Sequence, residues 1–287
     1  MTGQTGFHEG ELAVQGREGV RAQAARLGGA MLGTPDLNGG VSTFLTHRDF
    51  AVLTARDSEG RLWTSPLFSS PGFLEAHDRE LRVHAVPTLG DPLHDLAPGQ
   101  PVGMLAIEFA TRRRVRVNGT LTHVGDADLL LTVDQAYGNC PKYIQPRHLE
   151  HVGDSAPPTV HSSALSGEHK ELIAKADTFF LGTIHPTRGA DASHRGGPPG
   201  FVHVDGDTLW WPDYPGNNMF NSLGNLAVDP TATLLFVDFG TGATLHVSGK
   251  AAVEWVTPSD IDGGTGRRVR LAVESVVSGA RIGLRGG

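Results

Sequence analysis

Cysteine is almost missing from this chain: Cys140 is the only one in 287 residues. That excludes an internal disulfide framework and fits a reducing compartment. Long apolar runs are missing too, none approaching the ~18 residues of a membrane span. The N-terminus lacks the basic-apolar-small order of a secretory signal. Together these absences predict a cytoplasmic protein with no membrane partner. Positive charge is not in excess, with 24 Lys and Arg against 31 Asp and Glu and a net charge of −7. Broad nucleic-acid binding is therefore not expected, although a local basic patch could serve an anionic ligand. HExxH, a Cys pair, Walker A, GxSxG and GxGxxG are all absent. Among 14 histidines, His148 and His151 are the only hint of metal-ligand spacing, and no metal is expected.

Glycine and proline are plentiful, at 38 and 18 residues, which suits short strands and tight turns. These residues recur in order. Asp49 before one apolar run matches Asp177 before another, and Pro71-Gly72-Phe73 returns at the same offset as Pro199-Gly200-Phe201. Leu81 and Pro87 return as Leu209 and Pro215. Two residues of slippage later, Glu108-Phe109-Ala110-Thr111 returns as Asp238-Phe239-Gly240-Thr241, and Val117-Asn118-Gly119 as Val247-Ser248-Gly249. One supersecondary plan is thus written twice. Two copies are too few for a solenoid, which needs at least ~3 units. They suit a two-fold arrangement with a site at the seam.

Apolar spacing predicts an N-terminal amphipathic helix over 9–31, packed across the body or a partner subunit. Strands are expected at 50–55, 62–68, 73–76, 81–86, 102–109, 113–123 and 129–136, with a short helix at 92–96. The second copy predicts strands at 178–185, 190–195, 201–204, 208–212, 233–239, 243–256 and 269–277, and a helix over 218–228. With antiparallel strands and few helices, each copy reads as a small barrel, because closure removes exposed edges. The expected division is a helical extension 1–43, a first barrel 44–150, a linker 151–167 and a second barrel 168–287.

Four segments carry chemistry. In Ser193-His194-Arg195-Gly196-Gly197 a strand ends in a guanidinium fork that matches phosphate oxygens, and the glycines let backbone N–H groups approach a ligand. Its plain alternative is a turn with an exposed Arg. In the stretch 212–225, Asn217 or Asn218 is a good N-cap before a helix whose N-terminus favours anions; a capped surface helix is the alternative. Arg112, Arg114 and Arg116 share one face of a strand, with Arg113, Val115 and Val117 opposite. The second copy has Thr244-Leu245-His246-Val247 there, so the fold does not require that charge. Finally, residues 135–145 gather Tyr137, Asn139, Cys140, Lys142 and Tyr143. Cys140 as a nucleophile has no recognisable triad around it, and a structural role is the alternative.

The segments 193–202 and 212–226, with Asn139-Cys140-Pro141-Lys142-Tyr143-Ile144-Gln145 and Phe7-His8-Glu9-Gly10-Glu11-Leu12, resemble flavin-nucleotide-binding proteins of the pyridoxamine 5'-phosphate oxidase-like superfamily. The resemblance implies a mainly β chain of two FMN-binding split barrels in tandem, with FMN where the barrels meet. It places Ser193, His194, Arg195 and Gly196 against the flavin phosphate, and Asn217, Asn218 and Ser222 closing over it. The first copy has Thr64-Ser65-Pro66-Leu67 and Thr88-Leu89-Gly90-Asp91 at the matching places, so one site per chain is expected. Trp63, Arg114, Arg116 and Lys142 would supply its other wall. The chain lacks the Arg-Leu-His that true pyridoxamine phosphate oxidases use near the C-terminus, so oxidation of vitamin B6 is not expected. An FMN-dependent oxidoreductase acting on a small molecule is the implied activity, with His194 and Tyr143 as candidate acid–base groups. A flavin-binding or sensing module without turnover is the alternative. A homodimer through the N-terminal helix stays open.

Overall fold

A computed structural model describes residues 6–33, 35–138, 140–151 and 158–286. Three helices, α1 (Glu9–Arg17), α2 (Arg21–Met31) and α3 (Gly40–Thr46), precede the first strands. The single helix expected over 9–31 is therefore two, broken where Gly19 takes φ +70°. The strands β1 (Phe50–Arg56), β2 (Leu62–Phe68), β3 (Leu74–His77), β4 (Glu80–Val83), β5 (Pro101–Glu108), β6 (Arg113–Val124) and β7 (Leu129–Gly138) follow. They form one antiparallel sheet in the order β2-β1-β5-β6-β7-β4-β3. Next come β8 (Leu149–His151), β9 (Val160–Ser162) and α4 (Gly167–Lys175). Strands β10 (Thr178–His185), β11 (Gly189–Gly196), β12 (His203–Asp205) and β13 (Thr208–Pro212) lead to α5 (Asn221–Val228). Strands β14 (Thr231–Val237), β15 (Ala243–Trp255), β16 (Arg267–Arg281) and β17 (Leu284–Gly286) complete the chain. The second sheet runs β11-β10-β14-β15-β16-β13-β12, the order of the first sheet repeated strand for strand.

The repeated residues have repeated jobs. Both copies of the Val-Asn/Ser-Gly motif sit at a β-bulge, between Asn118 and Gly119 and between Ser248 and Gly249. A Cβ on Gly119 would lie 2.1 Å from Thr132 O, and one on Gly249 2.0 Å from Ala272 O. Only glycine fits where the facing backbone comes so close. Pro-Gly-Phe turns the chain through Gly72 and Gly200, at φ +101° and +86°, and drops Phe73 and Phe201 into the two cores. Each core draws residues from most of its sheet's strands, so each sheet curls round its own interior as a split barrel. Seven strands line each unit, one for each span expected, and β9 adds to the second sheet by pairing with β16. That strand falls inside the segment 151–167 expected as a linker. The helix expected at 92–96 is absent. Asp91 ties up the chain there as a turn, its carboxylate accepting from Leu93 N at 2.8 Å.

The two units interlock. Strand β2 lies against β10, β14 and β15, while β11 lies against β1, β5 and β6. A third apolar cluster belongs to both units and includes Phe50, Leu105, Phe109, Phe180, Leu235 and Phe239. The repeat mates Phe109 and Phe239 meet edge to face, 5.1 Å between ring centroids. At the closest crossing, Thr54 pairs with Gly103 in the first sheet and Gly182 with Thr233 in the second. The small residue thus swaps strands between copies. A Cβ on Gly103 would lie 2.6 Å from Asp191 Cα, and one on Gly182 2.4 Å from Thr64 Oγ1.

This crossing yields a test. Gly103→Ala should destabilise the chain by about 2 kcal/mol or more, the range of overpacking against unyielding backbone. Chemical denaturation of the variant with an unchanged midpoint would contradict the close approach.

Candidate functional site: a cationic cleft at the seam

Strand alternation puts Asp191, Ser193 and Arg195 on one face of β11. On the other unit, Arg114 and Arg116 project from β6. The crossing of the two units brings these faces together in one cleft. Ser193, His194, Arg195, Gly196, Asn217, Asn218, Ser222, Arg114, Arg116 and Lys142 all line it, as do Cys140 and Tyr143. Asn139 lies outside the described residues.

Trp63 does not join them. Its ring is buried in the first barrel core, and its Nε1–H donates to Asp57 Oδ2 at 2.8 Å. The expectation failed because alternation along β2 turns Trp63 inward. Arg112 leaves the expected row as well: it sits in the turn before β6 with φ +55°, exposed. The helix expected from 218 starts later, at Asn221, and no side chain caps it. Asn217 instead accepts from Met219 N at 3.2 Å, and Asn218 Nδ2 donates to Gln23 Oε1 at 3.2 Å. The first turn of α5 (Asn221, Ser222, Leu223), capped by no side chain, therefore lines the cleft at the positive end of the helix dipole.

The charges are unbalanced. Arg116 Nη1 lies 3.0 Å from Asp191 Oδ1, and Arg195 Nη1 3.0 Å from Asp213 Oδ1. Asp213 is shared, since its Oδ2 lies 2.9 Å from Arg267 Nε. Arg114 has no carboxylate partner among the described residues. Its Nη1 donates to His194 Nδ1 at 2.9 Å and its Nη2 to Cys140 O at 2.8 Å. Burial, with Arg116 and Arg195 nearby, draws the Arg114 pKa down to about 9, which leaves it charged at neutral pH. Burial also lowers Arg195, against the pull of Asp213. For Arg116, burial is outweighed by Asp191 and Tyr137, and its pKa rises. The Nε atoms of Arg114, Arg116 and Arg195 are buried without a partner, as is His194 Nε2. Burial and the surrounding guanidiniums hold His194 neutral, well below its ordinary value. The Tyr143 hydroxyl donates to Pro215 O at 3.0 Å, and burial pushes its pKa up.

Sequence reasoning missed Asp191 and Asp213. Asp191 could have been found from the period of two that links it to Ser193 and Arg195. It anchors the floor of the cleft: Asn118 Nδ2 donates to its Oδ1 at 3.1 Å, and Ser222 Oγ lies 3.3 Å from its Oδ2 and 3.1 Å from Ser193 Oγ. Five non-glycine residues take positive φ among the described residues, and three of them, Tyr143, Asn218 and Phe220, line this cleft. Backbone strain concentrated in this way marks functional sites.

The repeat mate of the cleft is closed. Ser65, Thr244 and His246 stand where Ser193, Arg114 and Arg116 stand in the other half. Ser65 Oγ donates to Asp91 Oδ1 at 2.5 Å, and His246 Nδ1–H to Thr64 O at 3.0 Å. Burial raises the Asp91 pKa and lowers that of His246. Buried side chains that hydrogen-bond one another fill the place of a cationic opening.

Helix α1 is strapped to α5 behind the cleft. A Cβ on Gly10 would lie 2.1 Å from Gly224 O, so the helices meet at backbone contact. Asn221 Nδ2 donates to Glu11 Oε1 at 2.5 Å, and Glu11 Oε2 accepts from His8 N at 2.8 Å. His8, Glu9 and His185 bring their ligand atoms within 4.8 Å of one another, a spacing that suits a metal. Their tautomers argue otherwise. Gly10 N donates to His8 Nδ1 at 3.2 Å, and Thr187 N and Arg188 N to His185 Nδ1, also at 3.2 Å. Each ring, with Nδ1 accepting, therefore carries its proton on Nε2, and that of His185 points to Glu9 Oε1 at 3.1 Å. Neither histidine then offers a cation a free ring lone pair, and Glu9 alone makes no site. His148 is exposed, and the side chain of His151 falls outside the described residues.

The strap carries two opposed titrations. Burial lowers the His8 pKa to about 4, with His185 and Arg188 adding to the effect. Burial raises the Glu11 pKa to about 7. From pH 4 to 6.5 the unfolded chain binds the His8 proton more, so that group's contribution to stability rises with pH. From pH 4.5 to 7 the folded chain holds the Glu11 proton more, so that contribution falls. The two nearly cancel. Glu11→Gln should uncover the rise: its stability relative to the parent should climb between pH 4.5 and 7, by on the order of 3 kcal/mol. Denaturation midpoints that stay parallel across this range would refute the buried, protonated Glu11.

Fold and cleft define a class: a duplicated split barrel whose seam holds an anion-seeking opening. Residues 165–270 match the family model described as pyridoxamine 5'-phosphate oxidase. The match lies within the second unit, whose strand order the first unit shares. No curated protein matches the chain. Solved structures similar to it include HupZ of Group A Streptococcus, at 14% identity over 41% of this chain and 98% of that one, TM-score 0.33. The FAD binding protein from Mycobacterium smegmatis is 12% identical over 42% and 96%, TM-score 0.28. HutZ, the heme storage protein from Vibrio cholerae, is 14% identical over 43% and 96%, TM-score 0.28. No helix among the described residues is long and apolar enough to cross a membrane.

Proposed function

We propose that the cleft binds FMN and that the protein is an FMN-dependent oxidoreductase acting on a small molecule. The observation that carries this reading is Arg114, a largely buried guanidinium without a carboxylate, beside two further guanidiniums with orphaned Nε–H groups. A phosphate monoester is the dianion such a set would neutralise. Arg114, Arg195 and Lys142 would hold it, aided by the open first turn of α5. Gly196 fits a close-packed wall, since a Cβ there would strike Tyr143 O at 1.9 Å. When bound, FMN supplies the hydride and electron transfer that none of these side chains can perform.

The residues around it orient and exclude. Arg116 and Asp191 brace the floor, and Ser193 and Ser222 present hydroxyls above it. Tyr143 and Tyr214 narrow the mouth. A non-catalytic flavin carrier or sensor is the second reading. It is favoured by the same electrostatics: His194 is held neutral with its Nδ1 engaged by Arg114, and Tyr143 is pushed up, so neither is tuned near neutral pH for proton transfer.

Purified protein should show flavin absorbance, or gain it on adding FMN. Arg114→Ala should raise the FMN dissociation constant about tenfold to a hundredfold, the loss of a charge-assisted hydrogen bond of about 1.5–3 kcal/mol. Arg195→Ala should act in the same direction and Ser65→Ala much less. An unchanged constant in both Arg variants would remove the phosphate from this cleft. Anaerobic reduction of bound FMN by NADH or NADPH separates the enzyme from the carrier, which no donor would reduce.

Titration should also saturate at one FMN per chain, because the mate cleft is filled by Ser65, Asp91 and His246. Two equivalents bound with similar affinity would overturn that asymmetry.

A further inference from the structure

At the mouth of the cleft lies a shallow groove whose side chains carry no charge. Tyr143, Gln145, Pro198, Tyr214 and Pro215 form its walls, with Gly197 and Gly263 between them. The two tyrosines also line the cationic cleft, so the groove and the cleft are one continuous surface. Tyr143 comes from the segment after β7 and Tyr214 from the segment after β13, one from each unit. Their rings stack at 5.1 Å between centroids and 25° between planes.

Tyr143 is held in this pose at some cost. Its backbone takes φ +65°, a left-handed conformation that is unusual for an aromatic residue. Its hydroxyl is pinned to Pro215 O across the units. Yet the residue stays 38% exposed, so the strain does not serve burial. It presents an aromatic face beside the cleft. Gly263, at φ +65°, keeps the opposite wall thin: a Cβ there would press on Pro215 Cδ at 3.1 Å.

Resting on the reading of the cleft as an FMN site, we propose that this groove is a second binding subsite. It takes a planar, uncharged, conjugated ring, of which a quinone is the simplest example. Flat rings gain from stacking on aromatic faces and from apolar walls. The lack of charged side chains disfavours an ionic ligand, and Gln145 offers one amide to orient a ring carbonyl. The groove's continuity with the cleft places such a ring beside whatever fills the cleft.

The probe is duroquinone, which has no free ring position for a thiol such as Cys140 to attack. Its dissociation constant is measured by saturation-transfer NMR on FMN-loaded protein, and FMN affinity is measured separately. Saturable binding is expected. Pro198→Trp, at an exposed rim position, should raise the duroquinone constant at least tenfold while FMN affinity stays within twofold. Tyr143→Leu, which keeps bulk and removes the aromatic face, should raise it about fivefold. No saturable binding, or binding that survives Pro198→Trp, would reduce the tyrosine stack to a clasp between units and overturn the proposal. If FMN fails to bind, the cofactor reading falls, and the same titration on FMN-free protein still decides the groove.

Discussion

The buried pair of Arg116 and Asp191 joins the two halves of this protein, and the cleft stands on it. A buried ion pair is stabilising only when its geometry is close and its remaining polar atoms are satisfied. Here Asn118 and Ser222 serve the carboxylate and Tyr137 OH accepts from Arg116 Nη1 at 3.2 Å, while Arg116 Nε and Asn118 Oδ1 stay buried without a partner among the described residues. All of these groups are buried. Such a network tolerates one relative placement of the barrels, and that placement sets β11 against β6. Removing either charge would strand the other in a dry seam, so the pair acts as a register pin for the interface.

Around that pin the two copies have diverged in opposite directions. One seam opening carries Arg114, Arg116 and Arg195, while its mate has Thr244 and His246, which bond to each other, and the core residue Leu67. The same asymmetry appears in packing, where the glycine that admits the crossing strand sits on β5 in one unit and on β10 in the other. Duplication within one chain permits this. A symmetric pair of identical chains would carry both openings or neither. Fusion lets one opening become stabilising filler while the other keeps its unpaired charge.

The N-terminal strap ties this arrangement to the start of α5. Gly10 and Gly224 let two helices touch at the backbone, and Glu11 reaches Asn221 on the rim of the cleft. Two buried groups that would be oppositely charged in water are both neutral there. The contact therefore avoids burying an ion pair, and its strength varies little across mildly acid pH.

The barrel plan was legible in the sequence because strand alternation, bulge glycines and Pro-Gly turns are local signals, and each appears twice at matching places. Ser193, Arg195 and Ser222 stood out through local residue density. Arg114 and Arg116 stood out because their repeat mates lack the charge. Trp63 misled because adjacency in a motif does not fix which face of a strand points inward. Asp213 and the His8–His185 contact were invisible because their roles depend on partners far away in the chain, whereas Asp191 was overlooked although strand alternation ties it to Ser193 and Arg195. What the sequence alone determined is the duplicated succession of strands along the chain and the candidate anion-binding residues. Which opening stays cationic, which histidine nitrogen keeps its proton and how closely the barrels cross were decided only by the tertiary structure, because burial and charge balance are properties of neighbours in space.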